Sequence, residues 1–334
     1  MKVLFIRFSS LGDLLLTTPI IRAFRTHFPD AELHFLTKSQ FAPILENNPN
    51  INTLLGYDPT SETMIQLIIR LQKEHYTHII DLHGKLRSGL IKQFVGGKTI
   101  TYDKKHAYRK KLLKDHSLQP VSSTVDLYAS VLESFNIELE SQKLDLFLPE
   151  NSEDVVRKFL LNDNKRPIVT ISPGASWLTK QYPANYYKEL IKMILDKYNP
   201  RIVLIGIEDE KELTSELAKN VNKSILDLGG KTSLMETAVI INQSDVFISG
   251  DCGPMHMAAA LGKPQIAIFG PTHPVLGFSP INQNAVVLTE NLDCSPCSLH
   301  GRQYCPLGHF NCMKKLRSKR VFSEVKKILQ PLQS

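Results

Sequence analysis

The chain has 334 residues, enough for two domains rather than one, and its 42% apolar and 22% charged residues are those of an ordinary globular protein. Its net charge of +7 points to acidic partners (nucleic acid, nucleotides or an anionic membrane face) without choosing among them. No run of 18 apolar residues occurs, which excludes a membrane-spanning helix.

The opening MKVLFIRF is too short in its apolar part for a signal-peptide core and predicts a buried strand, so a cytoplasmic chain is expected. Residues 13–28 predict a helix with Pro19 an awkward residue inside it. Strands are predicted at 31–37, 76–84 and 98–103, with a helix over 62–74. Residues 104–114, KKHAYRKKLLK, form a basic run, and 124–135 predict a helix. The polar stretch 137–166 reads as a linker. Alternation then restarts: strands at 166–172, 201–206, 223–228, 245–250 and 264–270, helices at 185–198, 208–221, 233–244 and 253–262, and a last helix at 323–332. Strands separated by helices predict parallel sheets, hence an α/β protein of two doubly wound domains with ligands at the carboxyl ends of the strands. The expected domains are 1–150 and 151–315, with a C-terminal helix in 316–334 that could pack back on the first domain.

Two nucleotide signatures fail. No G-x-G-x-x-G follows the first strand, and the P-loop look-alikes VGGKT (95–99) and LGGKT (228–232) carry Lys92 and Ile225 where the motif needs glycine. The informative stretch is 245–272. A buried strand ends at Ser249, and the turn Gly250-Asp251-Cys252-Gly253 opens a helix of small residues. The free N–H groups of that helix start suit an anion, and Gly253 permits close approach. Asp251 as a simple helix cap is the plain alternative. His256 lies on the first turn. In a second loop, 171–183, Ser176 and Lys180 can meet a phosphate, though a loop lysine is usually just solvated. Glu208, after another strand, can accept from a ribose diol or merely complement a helix dipole. Thr232 stands near a further helix start.

FSSLGD (8–13), SPGAS (172–176) with Lys180, and SGDCGPMHMAAALGKP (249–264) together resemble the lipopolysaccharide heptosyltransferases, which use ADP-heptose. The tail CSPC…CPLGHFNCM (294–313) resembles their heptosyltransferase II branch. The resemblance implies the glycosyltransferase B fold, two Rossmann-like domains facing across a cleft. The first would bind the lipid A–core acceptor and the second ADP-heptose. It implies inverting transfer without a metal, at the inner face of the inner membrane and in contact with its anionic surface. Asp13 matches the catalytic base and Lys180 the lysine that steadies the leaving diphosphate. Ser176, Glu208, Thr232, Asp251, Cys252, Gly253 and His256 match donor contacts, with Cys252 standing where threonine is expected.

An acid at the strand-to-helix join suits an inverting transfer, because a base must take the acceptor's proton opposite the departing diphosphate. The alternative is that Asp13 only caps its helix. Ser9, Ser10 and Gly12 would shape that turn, and Lys85, Arg87 and Arg109 would meet an acidic acceptor. Cys294, Cys297, Cys305 and Cys312 match a four-thiolate zinc site by count, but only one C-x₂-C pair is present, so reduced thiols are favoured and no cofactor is expected. A nucleic-acid protein is the rival drawn from charge, without an RNA-binding signature to support it. A nucleotide-sugar epimerase or a transferase of another sugar are the others.

Overall fold

The computed structural model describes residues 1–160, 166–219 and 225–330. Parts of four expected elements lie outside these residues: the linker at 161–165, the end of the helix at 208–221, the start of the strand at 223–228 and the last residues of 323–332.

The described chain divides into two units. The first comprises Met1–His106 and Ser122–Phe147, the second Ala107–Val121 and everything from Leu148 onward. The second unit therefore also takes the basic segment 107–121, which the expected boundary at 150 had left in the first domain.

The first unit is built on a parallel sheet of β1 (Lys2–Ile6), β2 (Glu32–Lys38), β3 (Thr53–Tyr57), β4 (His78–Asp81) and β5 (Lys98–Thr101), in the order β3-β2-β1-β4-β5. The central strand is buried from Val3 to Ile6, as a strand covered on both faces must be. Its register runs from Lys2 opposite Glu32 to Ile6 opposite Leu36, and Ile6 also pairs with Asp81 of β4. Order reverses between β1 and β4, so the loop after β1 emerges at the switch point, where α/β sheets bind ligands. Phe5 meets Phe24 edge-to-face at 5.5 Å beneath the sheet. The helix expected over 13–28 is two helices, Leu11–Leu15 and Thr18–His27. Pro19 causes the break: it lacks an N–H and is tolerated only in a first turn, where it now lies. Part of the expected linker is bound to this unit, since Asp145 pairs with Arg22 and Leu144 is buried.

The second unit holds a six-stranded parallel sheet of β6 (Ile168–Ser172), β7 (Arg201–Leu204), β8 (Ile225–Asp227), β9 (Val246–Gly250), β10 (Gln265–Ile268) and β11 (Ala285–Leu288), ordered β11-β10-β9-β6-β7-β8. Its switch point lies between β6 and β9, the strands that lead into Ser176 and Asp251. In the C-terminal helix Ser318–Leu329, Val321, Val325 and Leu329 are fully buried in the core of this second unit with Tyr182, Tyr187 and Ile194.

Candidate active site

In the first unit, β1 delivers Arg7 and Phe8, and the turn Ser9-Ser10 opens the helix that carries Asp13. Asp13 Oδ2 accepts from the Ser10 N–H at 3.0 Å and from Ser10 Oγ at 2.7 Å, and meets Arg7 Nη2 at 2.6 Å. Among the described residues Oδ1 accepts only from Tyr128 Oη, at a loose 3.4 Å. The capping bonds thus fall on one oxygen of the carboxylate. Oδ2 is saturated, while Oδ1 has lone pairs to spare on a side chain that is 18% exposed. Burial alone would raise the carboxyl's pKa. The Arg7 charge and the Ser10 donors outweigh burial and hold it at about 2. Arg7 is itself buried, donating to Leu82 O at 2.7 Å, with Tyr102 Oη at 3.5 Å.

Further cations surround this group. Lys104 Nζ donates to Gly84 O at 2.8 Å, and burial, with Arg7 and Lys85 nearby, lowers its pKa to about 8. Burial and the same cations push His83 down to about 4, so it is neutral. Lys85 and Arg87 are exposed at the start of the helix Leu86–Phe94. Gly12 is buried, and Ser9 lies half-buried beside Ser10. Arg7, Tyr102, Lys104 and Tyr128 were not foreseen. Arg7, a charge closing an apolar strand, and Lys104, at the head of the basic run, left local sequence signals.

In the second unit, Lys180 Nζ lies 2.9 Å from Asp251 Oδ2, and that oxygen also accepts from Thr272 Oγ1 at 2.7 Å. Three loops after three adjacent strands therefore converge. Gly250 lets them do so: a Cβ there would stand 2.9 Å from Lys180 O. Cys252 caps the helix Gly253–Ala260, and burial pushes its thiol up to about 11, so it remains protonated. His256 is 5% exposed. Ser176 is exposed, and Glu208 is also exposed, with Lys211 at 3.2 Å. Thr232 Oγ1 shares a hydrogen bond with Thr237 Oγ1 at 2.8 Å. Glu210, two residues beyond Glu208, is an acid turned toward the loop that bears Gly174. A Cβ on Gly174 would fall 2.0 Å from its carboxyl carbon, and burial raises its pKa. Thr272 was likewise missed, although it lies in the loop that follows β10.

Arg109 departs from the acceptor contact expected of it. It is buried in the second unit, its Nε donates to Leu276 O at 3.0 Å, and its guanidinium sits 4.5 Å from the Phe278 ring centre. Cys297, Cys305 and Cys312 border one small cavity with Thr179, Pro271 and Phe310. Burial, then the neighbouring thiols, push Cys312 up to about 12. Cys294 Sγ lies 3.9 Å from His309 Nε2. Among the described residues no three His, Cys, Asp or Glu side chains are arranged to hold a metal ion.

Comparison with known proteins accords with this layout. The chain is 27% identical over 325 residues to lipopolysaccharide heptosyltransferase 1 of Campylobacter coli, covering 91% of this chain and 94% of that protein. The solved ADP-heptose lipopolysaccharide heptosyltransferase II of Escherichia coli aligns over 100% of both chains with a TM-score of 0.78 at 21% identity. A glycosyl transferase family 9 structure from Veillonella parvula aligns over 100% of this chain and 98% of its own, with a TM-score of 0.83 at 18% identity. These likenesses show the fold, the two parallel α/β units of the glycosyltransferase B class. The profile of glycosyltransferase family 9 (heptosyltransferase) matches residues 64–307. The chain belongs to that family and is a glycosyltransferase.

Proposed function

We propose that this glycosyltransferase moves a heptose from ADP-heptose to the inner core of lipopolysaccharide with inversion at the anomeric carbon, using Asp13 as general base. The observation that carries the reading is the asymmetry of the Asp13 carboxylate: three donors on Oδ2, and one loose contact on Oδ1. An acceptor hydroxyl would donate to Oδ1. A base held at about 2 cannot take a proton from a resting alcohol. Proton transfer must therefore accompany attack, when the oxygen turns acidic as its bond to the anomeric carbon forms. The bond from that carbon to the diphosphate breaks in the same step, and ADP leaves with the electron pair.

The leaving charge needs partners in the second unit. Lys180 and the first N–H groups of the helix Gly253–Ala260 supply them. Asp251, held by Lys180 and Thr272, orients the lysine and retains an oxygen for sugar hydroxyls. Ser176, Glu208, Thr232, Cys252 and His256 are assigned to the rest of the donor. Glu210, with its raised pKa, is an acid that can sit near a diphosphate in neutral form. Lys85, Arg87 and Lys104 are assigned to an acidic acceptor. Ammonium and helix N–H groups supply the charge a metal would otherwise provide, so EDTA should leave transfer intact. The +7 chain would work at the cytoplasmic face of the inner membrane, drawn to its anionic lipids.

The test is transfer with ADP-heptose against other nucleotide sugars, on a defined core acceptor, with and without EDTA. The product's anomeric configuration is read by NMR. Preference for ADP-heptose and an inverted linkage are expected. A retained linkage, or turnover of donor with no acceptor present, would remove the mechanism.

A further inference from the structure

The helices Met64–Gln72 and Leu86–Phe94 lie side by side over the first unit's sheet. Leu67 and Leu71 of one and Ile91 of the other, with Val95 just beyond it, are buried in a shared core with Leu4 and Ile6 of β1. Gln72 Nε2 donates to Phe94 O at 2.8 Å and ties the two helix ends together. An inward apolar stripe of this kind predicts a polar outer face. The outer face is instead apolar a second time. Ile65 and Ile69, one turn apart on the first helix, are 71% and 49% exposed, and Leu86 and Phe94, two turns apart on the second, are 82% and 51% exposed. Leu90 lies half-buried between them. Single exposed aliphatic side chains need no explanation, but four gathered on two adjoining helices mark a contact surface.

The charges around these side chains have one sign. Neither helix contains an Asp or Glu. Two of their cations are already engaged, Arg70 with Glu62 at 2.9 Å and Lys92 with Asp81 at 3.1 Å. Lys73 after the first helix, and Lys85 and Arg87 at the start of the second, are exposed and make no ion pair among the described residues. This pattern chooses the occupant. A second copy docked by the same face would bring one cationic rim against an equally cationic one, since a two-fold contact pairs a patch with itself. An anionic bilayer suits both parts of the face. Aliphatic and aromatic side chains enter the acyl boundary without shape matching, while lysine and arginine stems extend to lipid phosphates.

We propose that Ile65, Ile69, Leu86 and Phe94 form the face by which this chain inserts into an anionic lipid surface, with Lys73, Lys85 and Arg87 at its rim. The inference rests on the reading above that the chain works at the inner membrane, and it deepens that reading. Net charge attracts the chain without choosing a side. This face fixes which side meets the bilayer and adds an apolar part that salt does not screen. None of the four apolar side chains is assigned to donor, acceptor or base.

The test is co-sedimentation of the full chain with vesicles of phosphatidylglycerol and phosphatidylcholine, with pure phosphatidylcholine as the uncharged control. Native protein should prefer the anionic vesicles. I65Q/I69Q/L86Q/F94Q should bind them at least tenfold more weakly, while its ADP affinity and circular dichroism stay native. Equal binding by native and variant, or no binding by the native chain, overturns the face. So does a variant that loses only a native dimer, because the surface then belongs to a second copy. Depth is read separately with F94W in vesicles of brominated lipid. Quenching of the added tryptophan beyond that of native Trp177 is expected, whereas unquenched emission at full binding means adsorption by charge alone and refutes insertion. Neither arm needs donor or acceptor, so the face stands or fails independently of heptose transfer.

Discussion

Replacing Arg7 with methionine tests how the base is tuned. In the native site Asp13 is held at about 2 against an ordinary 3.8, although burial pushes the other way. The largest single cause of the depression is the Arg7 charge, 2.6 Å from Oδ2. Without it, burial acts against Ser10 alone, and the carboxyl should climb past its ordinary value, a rise of about two units or more. Each unit is about 1.4 kcal/mol of preference for the charged form. The depressed pKa contributes stability of about 2 kcal/mol that is fully present above pH 4 and is lost as pH falls through the folded value near 2. Removing one partner of a buried pair should cost more in total, about 3–5 kcal/mol. The assay is kcat/KM against pH, with folding followed by circular dichroism at each point. The native enzyme should show no acid limb from this group in its accessible range, and R7M should show one about two units or more above the native value. A native limb near pH 6, or an R7M profile identical to the native one, would refute the electrostatic account.

Lys104, lowered to about 8, should lose its charge as pH rises through that value; acceptor KM should then climb above pH 8 in the native enzyme but not in Lys104→Arg, whose charge persists. Thr272→Val removes one of the two groups on Asp251 Oδ2 and should lower kcat/KM about tenfold at nearly constant ADP affinity; equal loss of ADP binding would make Thr272 a structural residue only. Leu329→Ala empties part of the second unit's core and should cost about 2–4 kcal/mol by denaturant unfolding, whereas a loss under about 1 kcal/mol would mean that the C-terminal helix is dispensable to that core.

Where local pattern decides, the sequence was readable. The apolar run of β1, the restart of strands at residue 166 and the Gly250–Gly253 turn each impose their structure within a few residues. Two of the four edge strands, β3 and β11, were not. β3 is half-exposed along most of its length, and β11, Ala285–Leu288, is apolar but only four residues long and half-exposed over its first three. The turn that carries Asp13 was legible from its place after β1, and so were Arg7 and Ser10 beside it, but the contact with Tyr128 was not. Tyr128 lies 115 residues away in sequence and reaches Oδ1 only through tertiary packing. The acid triplet Glu208-Asp209-Glu210 shows the same limit. Sequence cannot say which member of a short 3₁₀ turn faces inward, and it is Glu210 that meets Gly174. The basic run misled for a similar reason. Its one buried cation, Arg109, is spent anchoring the segment, while Lys110, Lys111 and Lys114 face outward.

The most direct measurement is single-turnover transfer by Asp13→Asn beside ADP affinity by calorimetry. Asparagine keeps the shape and the Ser10 bonds at one atom while abolishing the proton acceptor. A fall of about 10²–10⁴ in rate with native ADP binding is the predicted result. A variant that transfers heptose at close to the native rate contradicts the account at its root.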